Sequence, residues 1–148
     1  MAEIAHSIEI SRPPEDVFAW LNDVSRFGEW QPDVVSARVE GDGPIHGGTR
    51  VTSTRRLGRR ELTTTTEVTE YSPPRSYAFR GVDGPIRPIA KGTVEPLDDG
   101  ARSRVTFELD FEGHGPGKLL LPLVRRQARK QLAENHHRLK ERLEGGPV

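Results

Sequence analysis

Residues 119–143 read LLLPLVRRQARKQLAENHHRLKERL. Within this stretch Leu121, Val124, Ala128, Leu132, Leu139 and Leu143 recur at steps of three, four and seven, which is one face of a long amphipathic helix. From residue 50 to residue 112 the pattern is one of short alternating strands, so this one helix has to cover the apolar face of an antiparallel sheet. A single helix is too narrow for that. The mismatch predicts a sheet curled around the helix with space left between them. Pro122 lies early in the run and either marks the true start of the helix or kinks it.

Upstream, Ile4, His6, Ile8 and Ile10 alternate with Glu3, Ala5, Ser7 and Glu9, a period of two that defines a first strand. Ser11 then precedes Pro13, Pro14, Glu15 and Asp16, which together supply an N-cap, a preset φ and acidic groups for a short helix over 14–21. Val17, Phe18 and Leu21 are its buried stripe. Residues 22–30 hold a second helical turn, broken near Gly28 and closed by Pro32. Six further strands are expected at 34–40, 49–57, 61–71, 76–82, 86–96 and 102–112, separated by Gly, Pro, Asp and Ser turns. The class is α+β, in β-α-α-β6-α order, with residues 1–148 forming a single domain. The only linker-like piece is 113–117, and the tail at 145–148 is expected to fray.

At 148 residues the chain suits one domain that buries roughly 70% of its unfolded surface. Lys plus Arg and Asp plus Glu number 22 each, so the broad basic field that attracts nucleic acid is missing. With no Cys there is no disulfide, thiolate metal site or Cys nucleophile, which suits a cytoplasmic location. No apolar run approaches a membrane span or a signal-peptide core, and a soluble, unprocessed protein without stable membrane insertion is expected. His136 and His137 are adjacent, so on a helix they point about 100° apart and cannot clasp one metal. His46 and His114 fall in separate loops. Neither a metal nor a cofactor is predicted. Arg125, Arg126, Arg129, Lys130, Arg138, Lys140 and Arg142 make the helix basic, but interspersed Glu134, Glu141 and Glu144 point to a solvated face, with membrane-surface docking the minor alternative.

The segment 13–48, PPEDVFAWLNDVSRFGEWQPDVVSARVEGDGPIHGG, resembles the polyketide cyclase and dehydrase group of the START-like (SRPBCC), helix-grip superfamily. The marks are the proline and acid helix start, Val17, Phe18, Trp20, Asp23, Phe27, Trp30 and Pro32, and the glycine turn at 41–48. Tyr71, Pro73 and Pro74 look like the family's strand end, and 100–106 looks like its last hairpin. The resemblance implies a seven-stranded antiparallel sheet gripping the C-terminal helix, two short helices at one end, and an internal pocket for a small apolar or amphipathic molecule. Because such folds host enzymes, transfer proteins and allergens alike, it speaks to the fold more than to the activity.

If alternation fixes the inward face, the pocket takes Val51, Ser53 and Arg55 from one strand, then Leu62, Thr64, Thr66 and Val68, then Tyr77 and Phe79. Phe107 and the helix's Leu121, Val124 and Ala128 complete the candidate ligand-binding set. Small and hydroxylated residues at such positions leave volume that Leu or Phe would fill. The alternative is that 63–66 is an exposed strand, since a slip of one residue exchanges the two faces. Trp30 either stacks on a planar ligand at the rim or packs with Trp20 under the helices. His6, Arg55 and Tyr77 are the candidate catalytic groups. A histidine at such a position is more often a hydrogen-bonded core residue, and Arg55, with Arg56, Arg59 and Arg60, flanks a turn and is expected to point into water. Noncatalytic binding or transport of a small hydrophobic or amphipathic molecule leads. A cyclase, aromatase or dehydratase using cavity acid and base groups is the alternative, and action through an unidentified partner protein is the third.

Overall fold

A computed structural model describes residues 4–41 and 43–145, so the expectations for Glu3 and for the tail at 146–148 lie outside the described residues. Strand β1 (Ile4–Ile10) leads into α1 (Pro14–Leu21), a 3-10 turn (Val24–Arg26) and α2 (Phe27–Trp30). Strands β2 (Val34–Val39), β3 (Arg50–Leu57), β4 (Arg60–Ser72), β5 (Ser76–Asp83), β6 (Ile86–Leu97) and β7 (Arg102–Gly113) follow. A 3-10 segment (Gly115–Leu120) then enters α3 (Leu121–Glu144). The seven strands form one antiparallel sheet in the order β1-β7-β6-β5-β4-β3-β2, in which only β1 departs from sequence neighbourhood, pairing with β7.

Two local expectations are corrected and one open choice is resolved. Ser11 does not cap α1: Pro13 holds the N-cap position without a side-chain hydrogen bond, and the Ser11 amide instead donates to Glu144 Oε2 at 2.7 Å. The preset proline backbone and the acids Glu15 and Asp16 start the helix unaided. Gly28 breaks nothing; it lies inside α2 with no crowding at its Cβ position, and Asp23 caps the preceding 3-10 turn by accepting from the Ser25 amide at 3.1 Å. Pro122 occupies the first turn of α3, so of the two readings of that proline the helix start is the one realised. Leu119 consequently lies before the helix and is 87% exposed.

The main core occupies one end of the molecule. Ile10, Val17, Phe18, Trp20, Leu21, Trp30, Tyr77, Val94, Val105, Leu139 and Leu143 form one buried cluster that joins α1 and the C-terminal half of α3 to the sheet. Lys140 Nζ donates to the Glu9 carbonyl and Arg12 Nε to the Leu143 carbonyl, both at 2.6 Å, fixing that half of α3 along β1. At the other end a smaller cluster of Leu57, Ile86 and Val124 seats the helix start.

The threonine run takes one definite register. Thr63 and Thr65 hydrogen-bond across the strand pair to Thr54 and Thr52 at 2.8 and 2.9 Å, while Thr64 and Thr66 turn to the other face. Irregularities between Thr65 and Thr66 and between Val68 and Glu70 bend β4 against β5. Across from Tyr77 stands Gly92, where an added Cβ would come within 2.4 Å of the phenol ring. Glycine there lets the ring lie flat across β6.

Candidate functional site

Between α3 and the concave face of the sheet lies a cavity of about 250 Å³, just under the roughly 300–1,000 Å³ usual for small-molecule sites. Its walls follow from the strand period. Val51, Ser53 and Arg55 of β3, Leu62, Thr64, Thr66 and Val68 of β4, Tyr77 and Phe79 of β5, and Phe107 of β7 all face it. Val124 and Ala128 close it from α3, and Trp30 from α2. Leu121 is not on the wall. It packs beside the Leu57, Ile86 and Val124 cluster, because the first turn of α3 is anchored there and the helix meets the open space only from Val124 onward.

The aromatic wall is built by packing rather than by any one ring. Tyr77 and Phe79 are near parallel with centroids 6.5 Å apart, Phe107 lies 6.3 Å from each, and Phe18 meets Tyr77 edge-on at 5.8 Å. Tyr77 is buried, and loss of solvation pushes its phenol pKa well up, so it stays protonated across the physiological range.

Most polar groups of the wall are already partnered. Thr64 Oγ1 donates to the Ile86 carbonyl at 3.0 Å and Thr66 Oγ1 to the Val51 carbonyl at 3.3 Å. On α3 the Gln131 amide donates to Asn135 Oδ1 at 2.9 Å, and Gln127 reaches across to the Arg56 carbonyl at 3.0 Å. Arg55, half-exposed at the rim, donates to Asp33 Oδ2 at 3.1 Å and Gln31 Oε1 at 2.7 Å, so it is neither a free solvated turn residue nor an unengaged cation. Trp30 packs with Trp20 in the main core cluster, and it also lines the cavity.

Sequence reasoning missed one pairing. His6 Nδ1 and His136 Nδ1 lie 2.7 Å apart, one ring donating to the other, with His136 only 2% exposed. Burial, and secondarily the charge of His6, lower the His136 pKa to about 3, so this imidazole is neutral near pH 7. A base that weak is a poor proton acceptor at neutral pH, and it carries no proton to give as an imidazolium. The signal for His136 was present: Leu132 and Leu139 bracket positions 135 and 136 at steps of three and four, which puts Asn135 and His136 on the buried stripe. Gln31, Asp33, Asn135 and His136 also line the cavity. Among the described residues no three His, Asp or Glu side chains come together as a metal site.

A family model described as polyketide cyclase / dehydrase and lipid transport matches residues 1–144. Solved structures of similar fold include the TTHA0849 protein of Thermus thermophilus, 21% identical with a TM-score of 0.80, the match covering 98% of this chain and 99% of that one. A START superfamily protein of Mycobacterium smegmatis is 14% identical with a TM-score of 0.79, covering 96% and 97% of the two chains. The Zhui aromatase/cyclase of a Streptomyces species is 14% identical with a TM-score of 0.76, covering 98% of each. No curated protein matches the chain. At such identities these structures speak for the fold alone, a helix-grip sheet closed on its C-terminal helix. No helix among the described residues is long and apolar enough to cross a membrane.

Proposed function

The chain belongs to the polyketide cyclase / dehydrase and lipid transport family, and from that premise we propose that it binds or carries a small hydrophobic or amphipathic molecule in the cavity without transforming it. One observation carries this reading: the cavity wall is largely apolar and aromatic, Arg55 and His136 on it are bound to protein partners, and Tyr77 and His136 are held neutral near pH 7. Affinity then comes from apolar burial, about 25 cal/mol per Å² removed from water. Ser53, Thr64 and Thr66 set shape. The volume suits a molecule of one or two rings or a short chain.

A cyclase-type reaction would have to draw an acid or base from His6, Arg55 or Tyr77. Tyr77 does not ionise near pH 7, and Arg55 is already occupied by Asp33 and Gln31. His6 is engaged with His136. Naphthalene titrated into the protein, followed by calorimetry, tests the carrier reading. One molecule is expected to bind per chain, and Ala128→Trp, which fills the space, weakens binding at least about tenfold with the fold intact by circular dichroism. Absence of binding, or equal binding by the filled variant, refutes it.

A further inference from the structure

The start of α3 carries an apolar patch that nothing in the fold covers. Of the four large hydrophobic side chains exposed among the described residues, Leu119 at 87% and Leu123 at 51% are the two barest. They stand four positions apart where the 3-10 segment runs into the helix, about one turn, while Leu120, Leu121 and Val124 pack inward beside Leu57 and Ile86. Charge is arranged around them. Residues 113–133 contain no Asp or Glu but hold Lys118, Arg125, Arg126, Arg129 and Lys130, and the acids Glu134, Glu141 and Glu144 all fall in the second half of α3. The zero net charge of the chain therefore conceals a basic face. Arg125 is bonded to Asp110, whereas Lys118, Arg126 and Lys130 are exposed and take no ion pair among the described residues. Gln127 Nε2 donates to the Arg56 carbonyl at 3.0 Å, which sets the β3–β4 turn, with exposed Arg56, Arg59 and Arg60, beside the same turns of the helix. Glu61, opposite Arg56, offsets one of those charges.

We infer that this face seats the protein on an anionic lipid surface, with Leu119 and Leu123 entering the acyl boundary and Lys118, Arg126 and Lys130 meeting the headgroup phosphates. Two leucines that project from a helix start, rather than line a groove, suit a soft apolar medium better than a folded partner, which would need a matching pocket. The long basic side chains around them can lie along that medium with their charged ends in the headgroup layer. Two leucines alone hold weakly, so the cations supply the larger share and the attachment is reversible. The same turns of α3 present Val124, Gln127 and Ala128 to the cavity, and Arg56 lines it too, so docking brings the cavity next to the lipid. Exchange of a cavity molecule with that lipid rests on the carrier reading; attachment to the surface does not.

The test is cosedimentation of the whole chain with phosphatidylcholine vesicles, with and without phosphatidylglycerol. Binding is expected to be about tenfold or more tighter when phosphatidylglycerol is present and to weaken as salt is raised. Leu119→Ser combined with Leu123→Ser should cut binding about threefold or more, and Lys118→Glu combined with Arg126→Glu should remove the preference for phosphatidylglycerol, each with unchanged circular dichroism. No binding to either vesicle overturns the inference. So does equal binding to soluble polyglutamate that the leucine pair does not affect, which assigns the face to an acidic protein, or leucine-dependent self-association without vesicles, which assigns it to a second copy of this chain. Naphthalene binding decides the carrier reading separately.

Discussion

The two halves of α3 meet the same sheet in different ways. Toward the C-terminus Leu139 and Leu143 are wholly buried among Ile10, Val17 and Val105, and Lys140 and Glu144 tie the helix to the backbone around β1. Toward the N-terminus only Val124 is buried, Leu123 is exposed, and the small side chain of Ala128 leaves the helix standing off from Thr64, Thr66 and Ser53. One helix therefore has a packed half that supplies stability and a hollow half that supplies room. The difference lies in side-chain size where helix and sheet face each other: Leu139 and Leu143 fill one end, while Ala128 opposite Ser53, Thr64 and Thr66 leaves space among the apolar residues of the other.

Truncation in the packed half is the sharpest way to break that comparison. Leu139→Ala should lower unfolding free energy by about 2–5 kcal/mol in urea melts while leaving naphthalene affinity unchanged. A loss below about 1 kcal/mol would mean this half is not packed as described.

Acidification probes the boundary between the halves, where His136 sits. Its folded pKa of about 3 lies below the unfolded value of 6.5, so the unfolded chain takes up the proton first. Stability is then full above about pH 6.5 and falls as the pH drops from there toward 3, by at most about 1.4 kcal/mol per pH unit. Melts between pH 6.5 and 5 avoid the range in which Glu9 and Glu144, whose pKa values are held low by their Arg and Lys partners, take up protons. The slope is expected to flatten in His136→Gln, and an equal slope in both proteins would show that this histidine is not the sensor.

The smallest effect belongs to the hollow half. Val124→Ala borders space that is already open, so it loses transfer free energy without a new void of its own, about 1–1.5 kcal/mol. A cost matching that of Leu139→Ala would erase the contrast between the halves.

Most of the architecture could be read before the coordinates, because a period of two in the strands and the Leu132, Leu139 and Leu143 stripe are local signals of burial. Strand ends moved by a residue or so, as at β4, where 61–71 became Arg60–Ser72. The alternation Val51, Ser53, Arg55 found the face that lines the cavity, and the Thr63–Thr66 ambiguity needed cross-strand partners that no single strand contains. What stayed hidden was pairing between distant segments. His6 and His136 were weighed separately and come together only once β1 and α3 are laid side by side, and Asp33 carried no signal until Arg55 was brought to it. The sequence period says which way a side chain points but not which remote group it will meet.

The pairing of β1 with β7 also has a kinetic meaning. Ile4 lies opposite Leu109 and Ile10 opposite Ser103, so the first strand made must wait for the last one before it can enter the sheet, and α3 settles on β1 later still. A growing chain holds β2 to β6 as a meander of neighbours while the N-terminal segment remains without its partner. A loop of that length is entropically costly to close, and contacts between such distant segments slow folding in general. The interior space is enclosed only where β1 has paired with β7 and α3 lies along β1, so it depends on contacts between the segments most distant in sequence among the described residues.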